Sequence, residues 1–175
     1  TGEEVRNDFN RYVSQCLTSS IPLSPFVSAR YWHIVQIRVQ LLDRGVHTLS
    51  AVADQIGLTR ERVRQLLPKA VREVFGPVLA FFSMTLTILE EFGPIAPLEA
   101  VFRDLTPLAR KVAVDVFQLV IDRYQVDTEV GLIARTDFCG DLRAWYRTLS
   151  TEIHQEFSGR AASGEAITEA LGTFD

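Results

Sequence analysis

A chain of 175 residues is long enough for one or two small domains with real cores. Hydrophobic residues make up 47% and charged residues 23%, an ordinary globular balance. A formal net charge of −4 excludes a polybasic nucleic-acid coat, but not a local basic surface, because the field near a ligand depends on the charges nearby.

Cys16 and Cys139 are far apart and share no repeated spacing. No disulfide framework is expected, and a reducing cytoplasm is the expected compartment. No apolar run reaches the roughly 18 residues of a membrane helix, and the N-terminus lacks a signal-peptide pattern. The first residue is Thr1 rather than an initiator Met, which fits a piece of a longer protein.

The expected architecture is mainly α. Val5, Phe9, Tyr12, Val13 and Cys16 share one helical face, so a first helix is predicted over about 3–17. Thr18 to Pro25 reads as a turn or linker. Ser24-Pro25 is a good helix start, because proline at the first position loses no hydrogen bond. The helix it would open carries Tyr31, Ile34, Val35, Arg38, Leu41 and Leu42, and Gly45 closes it. Two short helices follow at about 49–56 and 60–75, stopped by Gly76-Pro77. An apolar helix is predicted from about Val78 to Glu91, a short one over Ala96 to Leu105, and a Thr106-capped one from Pro107 to about Tyr124. Gln125 to Thr136 suggests a small β-hairpin around Gly131. Asp141 to Phe157 is helical again, with Leu142, Trp145, Tyr146, Leu149, Ile153 and Phe157 as its stripe. Ser158 to Ala166 is small and flexible in composition. From Ser150 to Asp175 five acids face one arginine, a charge of −4, so an acidic tail is expected.

The informative stretch is "TLSAVADQIGLTRERVRQLL", Thr48 to Leu67. Thr48 can cap a helix that places Leu49, Val52, Ala53 and Ile56 on one face. Gly57 permits a sharp turn, Leu58 plugs it, and Thr59 caps a second helix whose inner face is Val63, Leu66, Leu67 and Val71. This is the grammar of a helix-turn-helix. Arg60, Glu61, Arg64 and Gln65 fall at the N-terminal end of the second helix, the end such a motif presents to base edges. Arginine can grip guanine with two hydrogen bonds, glutamine can do so with adenine, and glutamate accepts from cytosine. Arg62 and Lys69 suit phosphates, which give affinity without sequence information. From Arg44 to Phe75 six basic residues face three acids, a local charge of +3, against −7 for the remainder.

Thr48 to Leu66 resembles the fourth conserved region of bacterial housekeeping-type sigma factors, and a looser likeness covers about Ser28 to Phe75, with "GLTRERVRQ" as its most specific run. The resemblance implies recognition of an upstream promoter element in the major groove. It implies base contacts at Arg60, Glu61, Arg64 and Gln65, and backbone contacts at Thr59, Arg62 and Lys69. Thr48, at the start of the preceding helix, completes the candidate backbone set. It also implies docking on the β flap of the RNA polymerase core. Leu67-Pro68 departs from the family, which has a polar residue and a good helix former there. Pro68 removes a backbone donor and is expected to kink the helix, at about 3 kcal/mol if uncompensated. Leu67 is then expected to pack on a neighbour, the helix around Val78 to Glu91. The family's other promoter-binding regions are not recognisable, so this chain alone is not expected to open a promoter.

Other readings of the cluster are a solvated helix face and a helix-turn-helix that has turned to binding protein. Leu79 to Arg135 follows the element order of a winged helix, with Arg103, Arg110, Lys111 and Arg123 as possible DNA contacts, although packing or dimerisation suits it better. His33, His47 and His154 form no ligand spacing, so no metal or cofactor is expected. Cys139 has no paired histidine, no phosphate-cradling glycine loop occurs, and Asp137 and Asp141 read as surface or capping groups, so no enzyme is expected in this chain. Trp32 and Trp145 read as core residues. The expected organisation is an N-terminal helix and linker (1–25), a sigma-like helix-turn-helix domain (26–76), a winged-helix-like domain with a small β-hairpin (77–136), and a C-terminal helix with an acidic tail (137–175). The expected function is sequence-directed binding of double-stranded DNA in transcription. The alternatives are a module that binds polymerase or another protein, and the targeting domain of a larger enzyme.

Overall fold

The structure, a computed structural model, describes residues 1–157, with side chains through residue 152. The expected acidic tail and the side chains of Ile153, His154 and Phe157 lie outside the described residues. The chain is mainly α, with a small three-stranded antiparallel sheet. The helices are α1 (Gly2–Thr18), α2 (Ala29–Asp43), α3 (Leu49–Ile56), α4 (Arg60–Val74), α5 (Leu79–Phe92), α6 (Leu98–Val101), α7 (Pro107–Val120) and α8 (Leu142–Phe157). The strands are β1 (Ile95–Pro97), β2 (Tyr124–Asp127) and β3 (Leu132–Arg135), in spatial order β1-β3-β2.

Threonines set several helix starts. Thr1, Thr48, Thr59 and Thr106 each accept a hydrogen bond from the backbone amide three residues on, satisfying a donor that has no partner inside the helix. α2 departs from expectation. It begins at Ala29, capped by Ser28, and Ser24-Pro25 forms a turn instead, with the Val27 amide donating to the Ser24 carbonyl at 3.2 Å. The physical reason is long-range. The Ser28 amide donates to Glu73 of α4 at 2.7 Å, which places the cap where α4 can hold it.

The segment expected as one short helix over 96–105 divides into β1 and α6. β1 pairs with β3, Ile95 opposite Ala134 and Pro97 opposite Leu132. α7 stops at Val120 rather than near Tyr124, because Tyr124 opens β2 opposite Arg135. The hairpin of β2 and β3 is present as expected.

One hydrophobic core runs from Phe9 of α1 to Ile133 of β3, so the expected boundary at residue 76 falls inside continuous packing. Phe9 stacks on Phe81 at 4.0 Å and meets Phe82 edge-on at 5.5 Å. Tyr12 donates its hydroxyl to the Val74 carbonyl, and Asn10 bridges the Asp104 carbonyl and the Thr106 amide at 3.1 and 3.0 Å. α1 is thus a strut between α4 and the turn before α7. A smaller cluster of Ala134, Cys139 and Leu142, with Trp145 against it, seats α8 on the sheet.

Pro68 does not interrupt α4, which continues from Arg60 to Val74. Leu66, Leu67, Ala70 and Val71 are buried around it, and their burial opposes the break that a proline favours. Leu67 is fully buried, as its position behind the helix suggested. α4 packs mainly on α2, α3 and α7, and of the expected Val78 to Glu91 segment it is chiefly the turn at Gly76–Val78 that meets it. α7 also packs on α1 and α2.

Candidate nucleic-acid interface

α3 ends at Gly57, whose φ of 67° is left-handed, and the chain turns directly into Thr59. A side chain at that φ would be strained, so glycine makes the turn tight. The Leu58 amide donates to the Ala53 carbonyl at 3.1 Å, closing α3 before α4 begins. Val52 and Ala53 of α3, with Val63, Leu66 and Leu67 of α4, are buried beneath the turn.

All eight candidate residues, Thr48, Thr59, Arg60, Glu61, Arg62, Arg64, Gln65 and Lys69, are exposed. Four of them form one network. The Glu61 carboxylate accepts from Arg64 Nε at 2.8 Å and Nη2 at 2.7 Å, and from Gln65 Nε2 at 3.1 Å. Arg62 Nη1 donates to Gln65 Oε1 at 3.2 Å. These donors, Arg64 first, hold the Glu61 carboxyl down to about 2, so it is ionised at neutral pH. Arg60 stands on the same turn and adds its positive field. Thr48 and Lys69 lie outside the network. Thr48 starts the other helix and binds its own Ala51 amide, while Lys69 stands one turn beyond Gln65.

This arrangement presents edge donors and acceptors on a rigid helix. An exposed ion pair contributes little to stability, so Arg64 can exchange Glu61 for another acceptor at small cost. The Thr48 and Thr59 hydroxyls accept their capping bonds and keep a hydrogen to donate outward. Each stands at a helix start, where the dipole and free amides favour an anion.

One residue pair that supports the site is not marked as a pair by any local sequence pattern. Arg38 of α2 donates through Nε to Asp115 of α7 at 3.0 Å, a second guanidinium nitrogen reaches the other carboxylate oxygen, and Nη1 donates to the His47 carbonyl at 2.9 Å. Both side chains are buried. The His47 bond anchors the residue just before the Thr48 cap, so α7 helps hold the entry to α3. The available signal was a lone arginine in the apolar stripe of Ile34, Val35, Leu41 and Leu42. A charge on a buried face needs a buried partner.

Several cations of the second half have partners within the protein. Arg103 lies 3.8 Å from Asp104, Arg110 3.7 Å from Glu99 and Arg123 3.5 Å from Glu90, and Lys111 donates to the Leu42 carbonyl at 3.2 Å. Burial pushes the Cys16 thiol up to about 12 and raises that of Cys139, which keeps both protonated. Among the described residues, no three His, Cys, Asp or Glu side chains gather in a way that could hold a metal ion. No single described helix is long and apolar enough to cross a membrane. No protein-family model, curated protein or solved structure matches the chain.

Proposed function

We propose that the chain binds double-stranded DNA in a sequence-directed way, with the N-terminal half of α4 in the major groove, and that it serves transcription, in promoter-element recognition or its regulation. The observation that carries this reading is the exposed row of Arg60, Glu61, Arg64 and Gln65, the last three joined by hydrogen bonds, on a helix capped and braced from behind. The row combines the side chains that pair with guanine, adenine and cytosine edges. Lys69 and Arg62 lie beside it for phosphates, with the Thr48 and Thr59 hydroxyls at the two helix starts. The likeness of Thr48 to Leu66 to the sigma-factor region supports the same use.

In this reading the segment from α5 to β3 is a winged-helix-like unit, supported by its order of helices and strands and by the β1-β3-β2 sheet. It is a scaffold rather than a second reader. Its α7 is covered by α1, α2 and α4, Arg110 lies beside Glu99, and Lys111 donates to the Leu42 carbonyl.

Selection from a random duplex pool, with and without RNA polymerase core, tests the proposal. Enrichment of a motif by the chain alone is the expected result. Enrichment only with polymerase would move the function to protein interaction through the β flap or another surface. Binding to the selected site should weaken with salt, with a log–log slope of roughly −3.6 for about four neutralised phosphates. A slope near zero would argue against groove binding.

A further inference from the structure

α7 reaches the end of α2 through two side chains one turn apart, Lys111 and Asp115. Lys111 Nζ donates to the Leu42 carbonyl at 3.2 Å. Asp115 accepts from Arg38 Nε at 3.0 Å and from a second nitrogen of the same guanidinium. The remaining arm of Arg38, Nη1, donates to the His47 carbonyl at 2.9 Å. Leu42 lies in the last turn of α2, and His47 directly precedes the Thr48 cap of α3. The two contacts therefore bracket the loop between α2 and α3, one before it and one after it.

The loop has few supports of its own. Its Gly45 amide donates to the Leu42 carbonyl at 3.1 Å, and its Val46 amide to the Leu41 carbonyl at 2.8 Å. Arg44, Gly45 and His47 are exposed. A segment with so little buried surface opens readily unless it is held from outside. The Leu42 carbonyl also stands at a helix end, where carbonyls lack partners within the helix and a cation is favoured. Lys111 meets that need from a different helix.

What the loop delivers is the start of α3. Thr48 is exposed, and its hydroxyl accepts from the Ala51 amide at 3.3 Å while keeping a hydrogen to donate outward. Its direction is set by the bond at His47 on one side and by α3 on the other.

We propose that Lys111 is a positioning residue for DNA binding. Together with the Asp115–Arg38 pair it clamps the loop between α2 and α3, so that Thr48 meets a phosphate while α4 lies in the groove. The proposal rests on the DNA-binding reading. It adds that the half containing α7 sets one backbone contact without itself touching DNA.

The test measures binding of the full chain to the selected duplex, with thermal unfolding to check that each variant is folded. Thr48→Asp keeps a good cap but sets a negative charge against the expected phosphate, and should weaken binding by about tenfold or more. Lys111→Met keeps the apolar stem and removes the donor; it should weaken binding by roughly three- to tenfold. Its salt slope should equal that of the parent, because the misplaced contact is neutral. Lys111→Arg restores a donor and should recover most of the affinity. In the Lys111→Met background, Thr48→Asp should cost no more than about threefold, since residues that act together are not additive. Amide exchange at Gly45 and Val46 should speed up by about tenfold or more in Lys111→Met, with α4 unchanged. Unchanged binding by Lys111→Met, no recovery in Lys111→Arg, or an equal Thr48→Asp penalty in both backgrounds would overturn the positioning role. So would a salt slope lowered by about 1, which would make Lys111 itself a phosphate contact. Unchanged exchange at Gly45 and Val46 would overturn the clamp alone. A parent chain that binds no duplex would sink the DNA-binding reading, and with it the phosphate at Thr48; amide exchange, which needs no DNA, tells these two failures apart.

Discussion

α4 and α7 are built alike and used differently. Both open behind a threonine whose hydroxyl accepts from the third amide at 3.2 Å, and they contain 15 and 14 residues. Each carries an apolar face and cations near its N-terminus. In α4, only one side is covered, by α2, α3 and α7, and the N-terminal polar residues stay exposed. In α7, α1, α2 and α4 cover the helix and β2 packs on it, so even its aspartate, Asp115, is buried. Capping and amphipathicity make a helix, but the number of neighbours decides whether it can reach a ligand. α4 keeps a free edge, whereas α7 holds α4 and the entry to α3 in place.

The comparison breaks most sharply at the buried pair. Asp115→Ala leaves the Arg38 guanidinium buried without its partner and should cost about 3–5 kcal/mol in urea unfolding. The same removal of an acid from the exposed α4 network, Glu61→Ala, should leave the unfolding midpoint nearly unchanged, as usual for surface ion pairs. Comparable losses in both would mean that α7 is no more of a strut than α4.

Leu67→Ala tests the covered back of α4. A fully buried leucine should cost roughly 2–5 kcal/mol, read in the same unfolding experiment. A change within about 0.5 kcal/mol would mean that α4 is not braced there.

The free edge is tested by binding. Arg64→Ala or Gln65→Ala should lose roughly 5- to 150-fold on the selected site and flatten preference at one or two base pairs. Lys69→Ala should weaken selected and scrambled duplexes equally and lower the salt slope by about 1. Arg103→Ala, in the half that contains α7, should change neither. Equal losses on both duplexes for Arg64→Ala would reduce α4 to an electrostatic handle.

The smallest effect is in pH. Glu61 titrates low because Arg64 and then Gln65 donate to its charged form. Its folded pKa lies below its ordinary value of 4.5, so the network's small contribution is complete above that pH and fades as pH falls towards 2. A carboxyl-carbon NMR titration should give a midpoint well below 4.5 in the parent chain and a higher one in Arg64→Ala, where Gln65 and Arg60 still act on the carboxylate. An unshifted midpoint in the parent would mean that the network is absent in solution.

Much of the helical skeleton was legible because its signals are local. Thr48, Thr59 and Thr106 mark helix starts, Gly57 needs a left-handed backbone, and Val63, Leu66, Leu67 and Val71 recur at helical spacing. The hairpin around Gly131 was legible by its turn. β1 was not, because three residues, Ile95 to Pro97, carry no periodicity and become a strand only by pairing with β3. The start of α2 is not legible locally, because Ser24-Pro25 and Ser28 are both acceptable caps, and Glu73, 45 positions away from Ser28, chooses between them.

The candidate site divides in the same way. Which side chains stand on the outer face of α4 follows from 3.6-residue periodicity and capping, interactions within four residues that the sequence contains outright. Arg38 and Asp115, 77 positions apart, are different. That they meet, and that α7 packs behind α4, were decided only when distant segments packed into one core. Burial and pairing depend on which surfaces meet, and no local pattern encodes that.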